Sequence, residues 1–284
     1  MRATADSIPR FGRPSPIPGR NHAALAVALA LAAFLSVVPA RPQEETEITE
    51  EMTRLCPGLA TAEGRAREQL ILLYFRLDPA RAAEPDQQKT VREHFDLARA
   101  EDEALLRAEL FDPPKVRCMG GLKAALAGLG APGALLCIRA ASADAPLRRA
   151  RALEGLQASE FAEVYALLRR ALGDKAFLDD ADAQIAPPGF EPKRVADHAF
   201  RVLAAKLEGA VKVPKGLLSG AGVGPMVPVP DRDERIGALL EWSVRDPGYA
   251  AHVQSRPSLV GALPADQADA ARAALQAAGV ETDK

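Results

Sequence analysis

Residues 105–172 read LLRAELFDPPKVRCMGGLKAALAGLGAPGALLCIRAASADAPLRRARALEGLQASEFAEVYALLRRAL, and one helical pattern is written three times within them. Leu105-Leu106 recurs 31 residues later as Leu136-Cys137, and again after the same step as Leu167-Leu168. Self-similarity at a period of this size is typical of stacked helix pairs. The stretch therefore predicts an all-α fold made of stacked antiparallel helix pairs, an α-solenoid.

Each predicted unit consists of a helix, a tight turn and a return helix. The predicted helices are 101–111 and 115–126, then 134–141 and 146–156, and then a helix that Ser159 caps and that ends near Leu172. Gly128, Gly130, Pro132 and Gly133 are expected to break the chain between the first two units. The third return helix is delayed to 192–207 by an insertion, Gly173–Phe190, which is either a plain surface loop or part of a binding face.

Two segments resemble the turn of HEAT-type helical repeats: Asp112-Pro113-Pro114-Lys115-Val116-Arg117 and Asp144-Ala145-Pro146-Leu147-Arg148. In that family the second helix begins with a turn Asp or Pro, followed by an aliphatic residue and an Arg. Small residues such as Ala150 and Ala152 then pack against the next repeat. The resemblance implies a HEAT-like solenoid that binds its partners on the concave face formed by its return helices.

The first forty residues predict a secretory signal. A basic leader is followed by the uncharged, apolar stretch Ala23–Ala40, which ends in the small residues Val38-Pro39-Ala40. This order of features is typical of a cleaved signal peptide, and the alternative is an uncleaved membrane anchor at 23–40. We expect an acidic linker at 41–60 and a helical domain at 61–278, whose repeat core is about 101–207. The protein is then exported to the periplasm or the extracellular space.

Charge argues against a nucleic-acid partner. The chain holds 36 basic and 38 acidic residues, and removal of residues 1–40 takes away four arginines and one aspartate. The remaining net charge of about −5 is unfavourable for contact with phosphate groups. We expect a protein partner in the cell envelope, and contact with a membrane only where the N-terminal segment stays in place.

The cysteines are Cys56, Cys118 and Cys137, so at most one intramolecular disulfide can form. Cys118 and Cys137 lie on consecutive predicted helices, but folding the chain back at Gly130 offsets them by roughly 7 Å along the helix axes. We expect both to be small buried apolar residues that are not bonded to each other. A bridge involving Cys56 is the alternative.

No metal or cofactor is expected. Asp179-Asp180-Ala181-Asp182 could bind calcium, but the oxygen ligands and the glycine of a calcium loop do not follow, which favours a solvated acidic loop. Gly220–Gly224 resembles a phosphate loop in composition only, because no strand precedes it and Pro225 prevents the helix that should follow. His198 is expected to be a partly buried helical histidine with a local hydrogen-bond partner.

Two arginine clusters are the remaining candidate sites. Arg148, Arg149 and Arg151 lie on the predicted second return helix, and Arg169-Arg170 lie on the first helix of the third unit. The expected stacking places the two clusters on opposite faces, so that they cannot line one groove. They are either ordinary solvated faces or, for Arg148, Arg149 and Arg151, the binding surface for an acidic partner.

The sequence contains no catalytic set, and helical repeats display extended surfaces. It therefore favours a non-enzymatic binding or scaffold protein of the cell envelope. The alternatives are an exported enzyme with a dispersed active site, which a deep pocket around His198, Asp180 or Glu191 would favour, and a signal-anchored subunit of an envelope assembly.

The mature chain is predicted to begin at Arg41, because the apolar stretch and the small residues before it match a cleavage site. Intact mass spectrometry of the exported protein tests this prediction. A mass that still includes residues 1–40 would support the membrane anchor instead.

Overall fold

The protein is described by a computed structural model over residues 50–111, 119–178, 193–218 and 229–281. Within these ranges the regular structure is helical, and strand-like pairing is limited to an isolated antiparallel bridge between Phe177 and Arg194. The all-α prediction is confirmed for the described chain. The described residues from Met52 onward belong to one compact unit.

A helical segment at 50–55 and a 3₁₀ turn (Pro57–Ala60) precede α1 (Gly64–Ile71), which continues as a π-helical stretch (Leu72–Arg76). The helices that follow are α2 (Pro85–His94), α3 (Ala100–Phe111), α4 (Met119–Leu129), α5 (Ala131–Ala141), α6 (Pro146–Gly155), α7 (Ala162–Ala171), α8 (Val195–Leu207), α9 (Val229–Arg245), α10 (Pro247–Gln254), α11 (Leu259–Ala262) and α12 (Ala265–Ala277).

The break between α4 and α5 is narrower than predicted. Gly130 alone separates the two helices, with φ at +64°, a conformation that glycine adopts without strain. Pro132 lies in the first turn of α5, where a missing N–H costs nothing, and Gly133 lies inside the helix. The predicted break is confirmed at Gly130, but its extent over 127–133 is wrong, because proline in a first turn and glycine in a buried helix do not end a helix.

The predicted cap of α7 is also wrong. Phe161 occupies the N-cap position, and the hydroxyl of Ser159 is buried with no hydrogen-bond partner within the described chain. The carbonyl of Ser159 instead accepts a hydrogen bond from the ammonium of Lys206. The loop before α7 is thus held by a distant lysine of α8.

Helix α6 lies at the centre of the fold and packs against α3, α4, α5 and α8. Its Ala150, Ala152 and Gly155 are buried, which lets the neighbouring helices approach closely. A Cβ placed on Gly155 would lie 2.7 Å from the Sγ of Cys137 and 3.0 Å from Leu126 Cδ1. No side chain larger than hydrogen fits at this position without movement of its neighbours.

Helices of the second half of the described chain pack on those of the first. Helix α8 packs on both α6 and α7, and α12 covers α5. Leu136 of α5 and Leu168 of α7 are both buried in the same core.

Asp102, at the start of α3, joins the N-terminal helices. Its carboxylate is 1% exposed and accepts hydrogen bonds from Arg65 (2.9 and 3.2 Å), from Gln69 Nε2 (2.7 Å) and from the backbone N–H of Asp96 (2.8 Å). Burial alone would raise the pKa of Asp102, but these donors outweigh burial and lower it to about 2. Asp102 is therefore an ionised anchor between α1, α3 and the segment that links α2 to α3.

Cys137 is fully buried with a free thiol, whose pKa burial raises to about 12. The prediction that Cys137 is not bonded to Cys118 is confirmed for Cys137, whose thiol is free. Cys118 itself lies outside the described residues. Cys56 is buried in a small separate cluster with Leu59 and Leu70.

We predict that Gly121→Ala destabilises the protein by about 2 kcal/mol or more, because a Cβ there would overlap the backbone carbonyl of Leu73 and force two helices apart. Gly237→Ala is the matched control, since Gly237 lies in α9 with open space around its Cα. Alanine's higher helix propensity should make that variant more stable by up to about 1 kcal/mol. Urea denaturation measures both, and equal effects would contradict the close approach of α4 to the π-helical stretch.

Candidate functional site

The three predicted partner-binding arginines do not form one exposed cluster. Arg148 is exposed and Arg149 is partly buried, whereas Arg151 is only 7% exposed. The physical reason is that α6 lies at the centre of the fold and exposes only a narrow face to solvent. Consecutive residues of a helix point in directions about 100° apart, so residues 148, 149 and 151 cannot all lie on that face. The shared exposure of the cluster was therefore predicted wrongly, and its binding role stays a prediction.

Arg149 holds a turn in place. Its guanidinium donates to both carboxylate oxygens of Asp174 (2.8 and 3.3 Å) and to the carbonyls of Ala143 (2.9 Å) and Asp144 (2.7 Å). It therefore connects the turn after α5 to the first residues of the predicted insertion. Four of its five N–H groups are used in this way, so Arg149 has little left to offer a ligand.

The C-terminal ends of α5, α7 and α12 meet around an open cavity of about 500 Å³, which we call the three-helix cleft. Its polar wall consists of Ser142, Arg149, Arg170 and Asp174, and its apolar wall includes Leu153, Leu167 and Val195. Carbonyl groups at helix C-termini carry partial negative charge, so arginines are favourable there. Both guanidinium groups lie at such ends.

The expectation that Arg149 and Arg170 lie on opposite faces is wrong, because both line the three-helix cleft. The packing of α12 on α5, which the repeat pattern does not contain, brings the end of α12 beside the end of α7. Arg170 donates to the carbonyl of Gly279 (3.0 Å), just past α12. A Cβ on Gly279 would overlap the guanidinium, and its φ of +67° also favours glycine.

Arg170 and Arg149 differ in how many of their N–H groups can still donate to a ligand. The side chain of Arg170 is exposed, and its one hydrogen bond within the described chain is the bond to Gly279. Its other N–H groups can therefore reach a ligand in the cleft. The sequence favours Arg148, Arg149 and Arg151 over Arg170, because the packing of α12 that brings Arg170 into the cleft has no signal in the repeat.

A second group of polar side chains is buried where α6 meets α8. His198 Nδ1 lies 2.5 Å from Glu154 Oε1, and Arg201 pairs with the same carboxylate. Glu154 is 44 residues away in sequence, whereas Arg201, three residues on in α8, lies 3.3 Å from the same Nδ1. The predicted local partner is therefore present, and nothing in the sequence indicates the distant one. The other ring nitrogen, Nε2, is buried with no hydrogen-bond partner in the described chain.

Burial lowers the pKa of His198 to about 4, and the nearby charges of Lys193, Lys123 and Arg151 act in the same direction. The ring is therefore neutral at pH 7 and donates from Nδ1 to Glu154. Burial likewise lowers the pKa of Lys123 to about 8. His198 does not line the three-helix cleft, and its proposed companions Asp180 and Glu191 lie outside the described residues.

Within the described ranges, no group of three or more His, Cys, Asp or Glu side chains is placed to hold a metal ion. The two segments weighed for calcium and phosphate, Asp179–Asp182 and Gly220–Gly224, lie outside those ranges. Among the described helices, none alone is long and apolar enough to cross a membrane. Gly120–Leu129 and Ala131–Ala141 meet that criterion only together, across a bend of 119°.

Comparison with known proteins gives no match for this chain, whether to a protein-family model, to a curated protein or to a solved structure.

We predict that protonation of His198 destabilises the fold as the pH falls from about 6.5 to about 4. The folded pKa lies below the unfolded one, so the unfolded chain binds the extra proton in this window, and the loss reaches up to about 3 kcal/mol. In His198→Gln this part of the pH dependence should disappear. Urea unfolding at pH 7.0, 5.5 and 4.5 tests the prediction, and an unchanged slope in the variant would contradict it.

Proposed function

We propose that this protein is a non-enzymatic binding protein of the cell envelope, which residues 1–40 direct to export. The observation that carries the proposal is the three-helix cleft. It combines a cavity of about 500 Å³, an apolar wall and one guanidinium, that of Arg170, with unused donors. A few polar groups placed on a mostly apolar surface are typical of binding sites.

The partner that fits this cleft is a protein segment with an acidic side chain beside an apolar one. Its carboxylate would accept hydrogen bonds from Arg170, and the apolar side chain would lie on the accessible alanines of the cleft, Ala141, Ala171 and Ala277. Arg149 would act indirectly, by holding Asp174 and the turn at 143–144 in position.

A HEAT-like stack of helix pairs is part of the same proposal. In support, α5 packs on α6, α7 packs on α8, and α6 contacts α8, so consecutive return helices are neighbours. In such a stack α6 and α8 would form one face and the insertion at 173–190 would border it. Arg148, the exposed member of the first cluster, would lie on that face.

The alternatives are an exported enzyme with a dispersed active site and a signal-anchored subunit of an envelope assembly. Cell fractionation with a carbonate wash distinguishes the anchored subunit, because an anchored protein stays with the membrane and a soluble one is released.

We predict that Arg170→Glu weakens partner binding by about tenfold or more, since it replaces a donor with a like charge facing the ligand carboxylate. The partner is first captured from envelope extract with the wild-type protein and identified by mass spectrometry. Its affinity for both proteins is then measured by biolayer interferometry.

The matched control is Arg245→Glu, another exposed arginine that ends a helix and pairs only with Glu241 of its own helix in the described chain. It should leave the affinity unchanged, and both variants should keep their circular dichroism spectrum. Equal affinity of Arg170→Glu and wild type would remove the three-helix cleft as the binding site.

A further inference from the structure

A second cleft lies between α2 on one side and α1 with its π-helical extension on the other. It is distant in sequence from the arginine clusters. Its volume is about 520 Å³. Ile71, Leu72 and Leu77 form an apolar floor, and polar side chains from both helices form the rim. We call it the α1–α2 cleft.

The two ends of the cleft are defined by hydrogen bonds between its walls. At one end, Gln69 Nε2 of α1 donates to the carbonyl of His94, the last residue of α2 (2.6 Å). At the other end, Gln87 of α2 exchanges two hydrogen bonds with the backbone of Asp78 (3.0 and 2.9 Å). The helices therefore run antiparallel, and the cleft has a fixed shape before any ligand enters.

The π-helical stretch decides which side chains face this cleft. In a continuous α-helix, Arg76 would be rotated about 80° away from Glu68, eight residues earlier. A π-turn holds more residues than an α-turn, and the bond from Leu77 N–H to the Leu72 carbonyl (3.0 Å) closes such a turn here. Arg76 is thereby brought back over Leu72, and both Glu68 and Arg76 line the cleft.

The charges of the cleft are only partly balanced. Arg81 is paired with Glu84 (2.8 and 2.6 Å). Glu68, Arg76 and Asp86 make no side-chain hydrogen bond or ion pair within the described chain, although the charge of Glu68 also acts on Arg65 and that of Asp86 on Arg81. Two carboxylates and one guanidinium therefore remain for a ligand, which favours a ligand with two positive groups and one negative group.

The positions of these groups narrow the ligand further. Arg76 and Asp86 lie at the Gln87 end, so a carboxylate and an ammonium can be held there side by side. Glu68 and His94 lie about 12 Å away at the other end. The Nδ1 of His94 donates to the Thr90 carbonyl (2.8 Å), so its Nε2 can accept a hydrogen bond from a ligand in the cleft.

We propose that the α1–α2 cleft binds a basic α-amino acid, L-arginine or L-lysine, as a free molecule. Its carboxylate lies on Arg76, its α-ammonium lies on Asp86, and its side-chain cation lies on Glu68 and His94. The methylene stem covers the apolar floor at Leu72 and Leu77, as long basic side chains do on protein surfaces. This proposal is independent of partner binding at the three-helix cleft.

Isothermal titration calorimetry on the purified full-length protein tests the proposal with L-arginine and two analogues. L-citrulline lacks the terminal positive charge, and agmatine lacks the carboxylate. The wild type should bind L-arginine and should bind each analogue about tenfold or more weakly, because each leaves one charged group of the cleft unpaired.

Two variants assign each preference to its residue. Glu68→Gln should remove the preference for L-arginine over L-citrulline, and Arg76→Gln should remove the preference for L-arginine over agmatine. Glu241→Gln and Arg245→Gln, at an exposed ion pair on α9, serve as controls and should change neither preference.

The proposal is overturned if L-arginine and L-lysine show no saturable binding at concentrations up to about 10 mM, which corresponds to a negligible affinity. It is also overturned if the wild type binds the analogues as well as L-arginine, or if the preferences persist in Glu68→Gln and Arg76→Gln. Glu68 and Arg76 are exposed, so neither substitution is expected to unfold the protein. A melting curve for each variant checks this.

Discussion

Four helices of the core meet where Gly155 has no side chain. A Cβ at this point would lie 2.7 Å from Cys137 of α5, 3.0 Å from Leu126 of α4 and 3.6 Å from Leu110 of α3. These three side chains are themselves buried, so they cannot move into solvent to make room. The position of α6, and with it the positions of the helices that form the three-helix cleft, depends on this contact.

Around this apolar centre, buried charges connect helices that are distant in sequence. Lys206 of α8 donates to the carbonyls of Gln157 and Ser159 and to the carboxylate of Glu160 (3.0 Å). Asp102 makes the corresponding connections among α1, α3 and the segment between α2 and α3. Such groups stabilise a structure only while every partner is present, because a lone buried charge is costly. They therefore fix the helix positions on which both clefts depend.

The sequence predicted the helices well where buried residues recur at a regular spacing. The helices at 101–111, 134–141 and 146–156 were found within a few residues of those limits, because their apolar positions recur every three or four residues. The burial of Cys137 and the small residues of α6 followed from the same pattern. The errors arose at Gly130 and Ser159, where tertiary contacts outweigh local signals for breaks and caps.

The candidate sites were harder to predict than the helices, for a geometric reason. Arg149 and Arg170 share a cleft because α12 packs on α5, and no spacing within the repeat encodes that contact. Arg76 and Glu68 share the other cleft because one π-turn rotates the end of α1. A one-residue change of helical register leaves almost no trace in sequence. The candidate sites therefore depend on contacts that become visible only in three dimensions.

Native-state hydrogen exchange followed by mass spectrometry tests the central place of α6 most directly. Peptides that cover 146–155 and the facing parts of α5 and α8 should exchange most slowly, with opening free energies close to that of global unfolding. Peptides from α2 and α12, which pack at the edge of the core, should exchange sooner. Exchange of 146–155 as fast as that of α2 would contradict the account, because α6 could not then be the helix on which the others are assembled.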